Sequence, residues 1–229
     1  MTSTDNKQCS NCKLKELLCR GLSQEDLNSL VSQAKLRKYK KGDVILQQGA
    51  KCNDLIYLSK GIVKFILEDN SREFIVTIDK AQTLIGLANI LNEDINYFTV
   101  RAATECTGCA INLSRFKLLM LNNRNFMFEI MSLSTQMFRG AINNFISIAR
   151  KQSNGRVADV LLYLSEKIYE SPVFSLSFSR QELADFAGCS KEQIIHTLRS
   201  FANDNIISAS GKKIEILDIE RLKKISRIG

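Results

Sequence analysis

Two capping boxes eleven residues apart constrain this chain more than any other feature. The stretch 179–201 reads SRQELADFAGCSKEQIIHTLRSF, with Ser179 three residues before Glu182 and Ser190 three before Gln193. At that spacing a serine hydroxyl accepts from an orphan backbone N–H while the later side chain reaches back to the serine's own amide. Each helix start is therefore specified locally. Between them Ala187-Gly188-Cys189 is short enough for a tight turn, with Gly188 free to take a positive φ. Leu183, Ala184 and Phe186 give the first helix an apolar face, and Ile194, Ile195, Leu198 and Phe201 the second. The start of the second helix is polar, with Ser190, Lys191, Glu192, Gln193 and His196. The pattern predicts a helix-turn-helix whose second helix offers that end to base edges in a major groove. Taken alone, the stretch also suits an ordinary pair of core helices.

The residues that follow favour the groove reader. Asn203-Asp204-Asn205 ends the helix, and IISASGKKIEIL supplies two β-prone runs around Ser210-Gly211 with Lys212 and Lys213 at the tip. Upstream, Phe174, Leu176 and Phe178 alternate as one strand. A helix-turn-helix followed by a basic hairpin is a winged helix. Its expected duplex contacts are Lys191, Glu192 and His196 to bases and Arg199, Lys212 and Lys213 to phosphates. Ser179, Arg180, Ser190 and Gln193 complete the interface at the two helix starts.

The 229 residues suffice for two domains, and 45% apolar with 24% charged residues is a globular balance. The net charge of +8 favours an anionic partner. Residues 151–229 nevertheless hold 12 Lys+Arg against 10 Asp+Glu, whereas residues 1–150 hold 20 against 14. The nucleic-acid expectation therefore rests on the motif more than on charge. Neither a membrane-spanning run nor a signal-peptide core is visible, and a cytoplasmic protein without a membrane partner is expected.

In chain order, residues 5–20 read DNKQCSNCKLKELLCR, placing Cys9, Cys12 and Cys19 at C-x2-C-x6-C spacing. Thiolates are soft ligands for iron–sulfur clusters or zinc, and three leave one position open. An amphipathic helix is expected over Leu22–Leu36. From Arg37 to about Ser114 the apolar period becomes two, with strands marked by Val44/Leu46, Leu55/Tyr57, Ile62, Phe65 and Phe74/Val76/Ile78. Short strands between turn signals predict a small antiparallel barrel or roll.

Helical period returns over Asn125–Lys151. Met131, Thr135, Phe138, Ile142, Phe145 and Ala149 alternate steps of four and three, the seam of a paired coiled stem. A second face, Ile130, Met137, Ala141 and Ile148, is free to pack on the roll. After the polar break Gln152-Ser153-Asn154 a new helix begins at GRVADVLLYL. The expected fold class is α+β: a cysteine-bearing segment (1–20), an antiparallel β-roll (21–124), a dimerisation helix (125–151) and a winged helix-turn-helix (152–229).

This order resembles the superfamily of the cyclic-AMP receptor protein and the fumarate/nitrate-reduction regulator. The likeness is carried by GRVADVLLYL, SRQELADFAGCSKEQIIHTL and Val100-Arg101-Ala102, and it covers nearly the whole chain. It implies a homodimer that binds double-stranded DNA and engages RNA polymerase. Relatives read a C and a G with a Glu and, four residues later, an Arg. Glu192 matches the Glu and can accept from cytosine N4, but His196 stands at the Arg position and a neutral imidazole lacks the bidentate fork. An altered half-site is expected. Relatives that bind cyclic AMP place a Glu after the roll's glycine and an Arg-Ser pair before the Val-Arg-Ala run. Here Leu87 follows Gly86 and Asn96-Tyr97 precede Phe98-Thr99-Val100, so no cyclic-AMP response is expected.

The fumarate/nitrate-reduction branch carries a four-iron four-sulfur cluster on an N-terminal cysteine group and one roll cysteine. Cys9, Cys12 and Cys19 resemble that group and Cys109 falls at the fourth position, with Cys106 as the alternative. Zinc on the same cysteines, a thiol switch, a small-ligand gate on the same fold, or no site remain open. Cys52 and Cys189 are expected to be structural. An enzyme is not expected, because a roll with metal-dependent chemistry needs converging histidines and the one histidine lies in the helix-turn-helix. A ligand-binding or scaffolding module that does not meet DNA is the remaining class.

Overall fold

The computed structural model describes residues 21–70, 72–90 and 95–229. The chain forms two compact units. One runs to Glu68 and resumes over Asp79–Arg139; the other holds Asp69–Ile78 and Gly140–Gly229.

The β-rich part of the chain has eight strands, β1 (Lys35–Tyr39), β2 (Val44–Leu46), β3 (Asp54–Lys60), β4 (Ile62–Asp69), β5 (Arg72–Lys80), β6 (Thr83–Ile85), β7 (Thr99–Ala102) and β8 (Cys106–Asn112), of which β5 falls mostly within the segment Asp69–Ile78 that is grouped with the second unit. They form two four-stranded sheets in the orders β1-β8-β3-β6 and β2-β7-β4-β5. Side-chain alternation sends the buried residues of the first sheet to two separate cores. Ile56, Leu58 and Ile85 of the first sheet meet Val63, Phe65 and Val100 of the second between the sheets. On the other face of the first sheet Leu55, Tyr57, Leu84 and Ile111 meet Leu27, Leu30 and Val31 of α1 (Gln24–Ser32) and Phe116 of α2 (Leu113–Asn122). Ser23 caps α1 and Asn112 caps α2. The roll anticipated from the period-two pattern is thus present, although the first helix stops at Ser32 and Lys35–Tyr39 is already a strand.

Helix α3 (Arg124–Arg150) has 27 residues. Its N-terminal part contributes Phe126 and Ile130 to the roll's outer core, and Met137 also packs there. The expected second face does not all go to the roll. Ile148 instead meets the helix-turn-helix: a Cβ built on Gly188 would stand 3.0 Å from Ile148 Cγ2. The reason is the length of the helix, since residues 148 and 130 are about 27 Å apart at 1.5 Å per residue.

In the second unit α4 (Ser153–Tyr163) continues into one π turn, Leu164–Ile168. Then follow β9 (Val173–Ser175), α5 (Arg180–Ala187), α6 (Lys191–Asn203), β10 (Ile207–Ser210), β11 (Lys213–Ile216) and α7 (Ile219–Ile228). The strands form an antiparallel sheet in the order β10-β11-β9. The expected strand through Phe178 is cut short: Leu176 and Phe178 are buried but lie beyond β9. Ser177 is held outside the ladder by Tyr169, whose hydroxyl accepts from the Ser177 amide at 2.9 Å. Val157, Leu161, Leu183, Ile194, Leu198, Phe201 and Leu222 fill the core, each contributing about 1.5–3 kcal/mol by leaving water. A polar knot joins three helices. The Asp159 carboxylate of α4 accepts from Ser147 of α3, from Lys151 just past the end of that helix at 2.6 Å, and from Ser226 of α7.

Gly188 and Gly211 both sit in the left-handed region, at φ +61° and +57°. A Cβ at Gly211 meets nothing within 4 Å, whereas one at Gly188 meets Ile148 at 3.0–3.3 Å. Gly211→Ala is expected to cost about 1 kcal/mol from backbone conformation alone, and Gly188→Ala measurably more, about 2 kcal/mol. Urea denaturation midpoints of the two variants check the order.

Candidate nucleic-acid interface

Both predicted capping boxes close. The Ser179 amide donates to Glu182 Oε2 at 2.6 Å while the Glu182 amide donates to Ser179 Oγ at 3.1 Å. The Ser190 amide donates to Gln193 Oε1 at 2.8 Å, and the Gln193 amide donates to Ser190 Oγ at 3.2 Å. The turn between the helices closes through the Cys189 amide, which donates to the Ala184 carbonyl at 3.0 Å. Arg156 of α4 donates to the Gly188 carbonyl, so the turn is gripped from two sides.

Helix α6 has one buried and one exposed face. Ile194, Thr197, Leu198 and Phe201 are buried, and the Thr197 hydroxyl donates to Asn154 Oδ1 at 2.9 Å, tying α6 to the start of α4. At 3.6 residues per turn Glu192, His196 and Arg199 fall in line on the other side, with Lys191 and Gln193 flanking them, and all five are exposed. Lys191, His196 and Arg199 make no hydrogen bond or ion pair among the described residues. The Glu192 amide, the Ser190 hydroxyl and the neighbouring Lys191 hold the Glu192 carboxyl below the usual carboxylate range. It is therefore an acceptor at neutral pH, the form that suits an exocyclic amine.

The wing tip lies beside the start of α5. Arg180 is half-buried, and its Nη2 donates to the Gly211 carbonyl at 2.8 Å. Arg180 thus positions the wing, a role that spacing alone did not reveal because its partner lies 31 residues away. Lys212 and Lys213 are exposed at the tip. The hydroxyls of Ser179 and Ser190 are spent on caps, which leaves the Gln193 Nε2 amide as the free donor of its box.

The seam residues Met131, Thr135, Phe138, Ile142, Phe145 and Ala149 are all exposed, Phe138 at 65% and Phe145 at 67%. Phe128, 61% exposed and three residues before Met131, extends the same alternation by one step. The same three-and-four spacing, carried one step toward the N-terminus, identifies it in the sequence.

Of the cysteines, Cys9, Cys12 and Cys19 lie outside the described residues. Among the described residues no group of three or more His, Cys, Asp or Glu is placed to hold a metal. Cys106 and Cys109 are three apart on β8 and so point to opposite faces. Cys106 packs in the core between the sheets and donates to the Ile62 carbonyl, and burial pushes its thiol up. Cys109 shares the face of Ile111, which packs on α1 and Leu22. Cys52 is buried and accepts from Asn89 at 3.4 Å; Cys189 is half-buried, with its thiol raised by burial. In the roll, Leu87 and Asn96 are buried, and Asn96 is bonded to Asn89 and to the Gln47 carbonyl at 3.1 Å each. No described helix is long and apolar enough to cross a membrane.

Two sequence profiles match the chain: a cyclic nucleotide-binding domain over residues 36–123 and a Crp-like helix-turn-helix domain over 155–225. The transcriptional activator protein Anr of Pseudomonas protegens is 26% identical over 217 residues, 92% of this chain and 88% of that one. The cAMP-activated global transcriptional regulator CRP of Salmonella typhimurium is 26% identical over 195 residues, 83% of this chain and 93% of that one. The solved structure of FixK2 from Bradyrhizobium japonicum shares the fold with a TM-score of 0.77 at 18% identity, covering 84% and 96% of the two chains. With both halves matched and the exposed, self-capped α6 in place, the chain belongs to the CRP/FNR family of DNA-binding transcription regulators.

Proposed function

We propose that the protein reads DNA as a homodimer, with one α6 of each subunit in successive major grooves of a two-fold site. The observation that carries this is the outward face of α6, on which Glu192, His196 and Arg199 are aligned while the opposite face is fully buried. Glu192 accepts from cytosine N4 and His196 makes a single-point contact where relatives place a bidentate arginine. Lys191, Gln193, Arg199, Lys212 and Lys213 neutralise or hydrogen-bond the backbone around that contact, and Arg180 holds the wing against α5. The bound dimer engages RNA polymerase. The expected outcome is that Glu192→Ala relaxes base preference at one half-site position. Lys213→Ala weakens all sequences alike and lowers the salt slope by about one. Binding selections and salt titrations check both, and identical effects on every sequence from the two variants overturn the assignment.

The stripe on α3 supports the pairing. Five large apolar side chains along one helix face, Phe128, Met131, Phe138, Ile142 and Phe145, want cover, and a second copy of the same stripe supplies it with coiled-coil spacing. Phe145→Glu is expected to give a monomer in light scattering with unchanged circular dichroism. It should lose at least about a hundredfold in affinity for a two-fold site, since the second half-site contact ceases to be intramolecular.

The gate we assign to a four-iron four-sulfur cluster on Cys9, Cys12, Cys19 and Cys109, with cyclic AMP playing no part. Cys109 suits the fourth position better than Cys106 because its strand face turns toward α1 and Leu22, whereas Cys106 is enclosed between the sheets. When bound, such a cluster supplies an oxygen-labile redox centre. The four cysteines would hold it through their thiolates. Where relatives hold the nucleotide, Leu87 is apolar and the Asn89–Asn96 pair satisfies itself, so a buried phosphate finds no cation at those positions. Protein purified without oxygen should absorb near about 400 nm and carry about four iron and four sulfide per chain. Cys109→Ser should lose both and Cys106→Ser keep them; colourless, iron-free protein sinks the cluster and leaves the DNA-reading proposal standing.

A further inference from the structure

The unit that holds Gly140–Gly229 contains a cleft of about 540 Å³ that none of the roles above uses. One wall is α3, through Gly140, Asn143, Asn144 and Ser147, continued by Lys151 just past its end. At 3.6 residues per turn these lie on the side of the helix roughly opposite Phe138, Ile142, Phe145 and Ala149. A molecule in the cleft therefore does not compete with a second copy on the seam. The facing wall is α4 and its π turn, and Phe186 of α5 closes one side. The volume is that of a small-ligand site.

The lining has a definite chemistry. Ile146, Val160, Leu162 and Phe186 make an apolar bed. Among the described residues lining it, Asp159 is the sole carboxylate, and its charge is already taken up by Lys151 and two serine hydroxyls. Lys167, set in the π turn, and Asn143 make no hydrogen bond or ion pair among the described residues. An apolar bed with one uncommitted ammonium and a free amide suits an apolar body bearing one negative charge. The cleft also touches the reading head. The Phe186 ring packs on Tyr163 with centroids 5.7 Å apart, and the Tyr163 hydroxyl donates to the Ile78 carbonyl at 2.6 Å.

We propose that this cleft binds a small organic anion, a carboxylate on an apolar body, and that its occupancy is coupled to DNA affinity through Phe186 and the helix α5 that carries it. Coupling of this kind is reciprocal: the factor by which the anion changes affinity for DNA equals the factor by which DNA changes affinity for the anion. Binding itself is independent of the DNA-reading proposal; only the coupling rests on it.

The test uses the full chain, with 1-naphthoate as the probe and naphthalene-1-carboxamide as its uncharged match, titrated by calorimetry without DNA. Naphthoate is expected to bind, and the carboxamide to bind at least about tenfold more weakly, as the loss of a charge-assisted contact requires. Lys167→Gln should bring naphthoate down to the carboxamide's level. Gly140→Leu should abolish both, because a Cβ at Gly140 meets nothing within 4 Å and the leucine fills the cleft while favouring the helix. Undetectable naphthoate binding at millimolar concentration, or binding unchanged in both variants, overturns the site. Gel shifts with and without naphthoate test the coupling: a changed operator affinity in the unaltered protein that disappears in Lys167→Gln supports it, and an unchanged affinity despite measured binding overturns it.

Discussion

The first backbone N–H groups of any helix lack partners within it, and a helix end that must face outward cannot borrow them from a core. In this protein Ser190 and Gln193 meet that demand within a single turn, leaving the amino end of α6 exposed. The same device at Ser179 sets α5, and the two helices are then related by the left-handed Gly188. Everything that gives the winged unit its outward face follows from those local bonds, because Ile194, Leu198 and Phe201 can only go inward once Glu192, His196 and Arg199 are held out.

Helix α3 works by the opposite logic. Nothing local determines what covers it, and its faces are assigned by what they meet. Phe126 and Ile130 complete the roll's outer core, Ile148 abuts the turn at Gly188, and Ser147 and Lys151 reach Asp159. The face left over carries Phe128, Met131, Phe138 and Phe145 in the open, which is why an unpaired chain presents an apolar stripe. One long helix can serve a roll core and a helix-turn-helix and still keep an apolar face in the open only because the three use different sectors and lengths of it.

The contrast between Cys106 and Cys109 shows how a strand turns sequence neighbours into strangers. A C-x2-C on a loop can close on one metal, but on β8 three residues mean opposite faces, one enclosed between sheets and the other toward α1. A similar lesson applies to Arg180. It stands at a helix start in the expected DNA interface, and its guanidinium also donates to the Gly211 carbonyl of the wing. Its partner was invisible from local spacing because the wing folds back from far along the chain.

Periodicity and capping, which depend on residues within a turn or two of one another, were enough to read the roll, the long helix, both helix-turn-helix starts and the wing directly from the chain. The exposed stripe on α3 was legible for the same reason, short by Phe128 alone. Local pattern did not reveal the end of β9 at Ser175, the grip of Arg156 and Ile148 on Gly188, the Asp159 knot or the cleft beside it. Each of those is made by groups from separate elements whose approach depends on packing, and no run of neighbouring residues records which distant side chain will arrive.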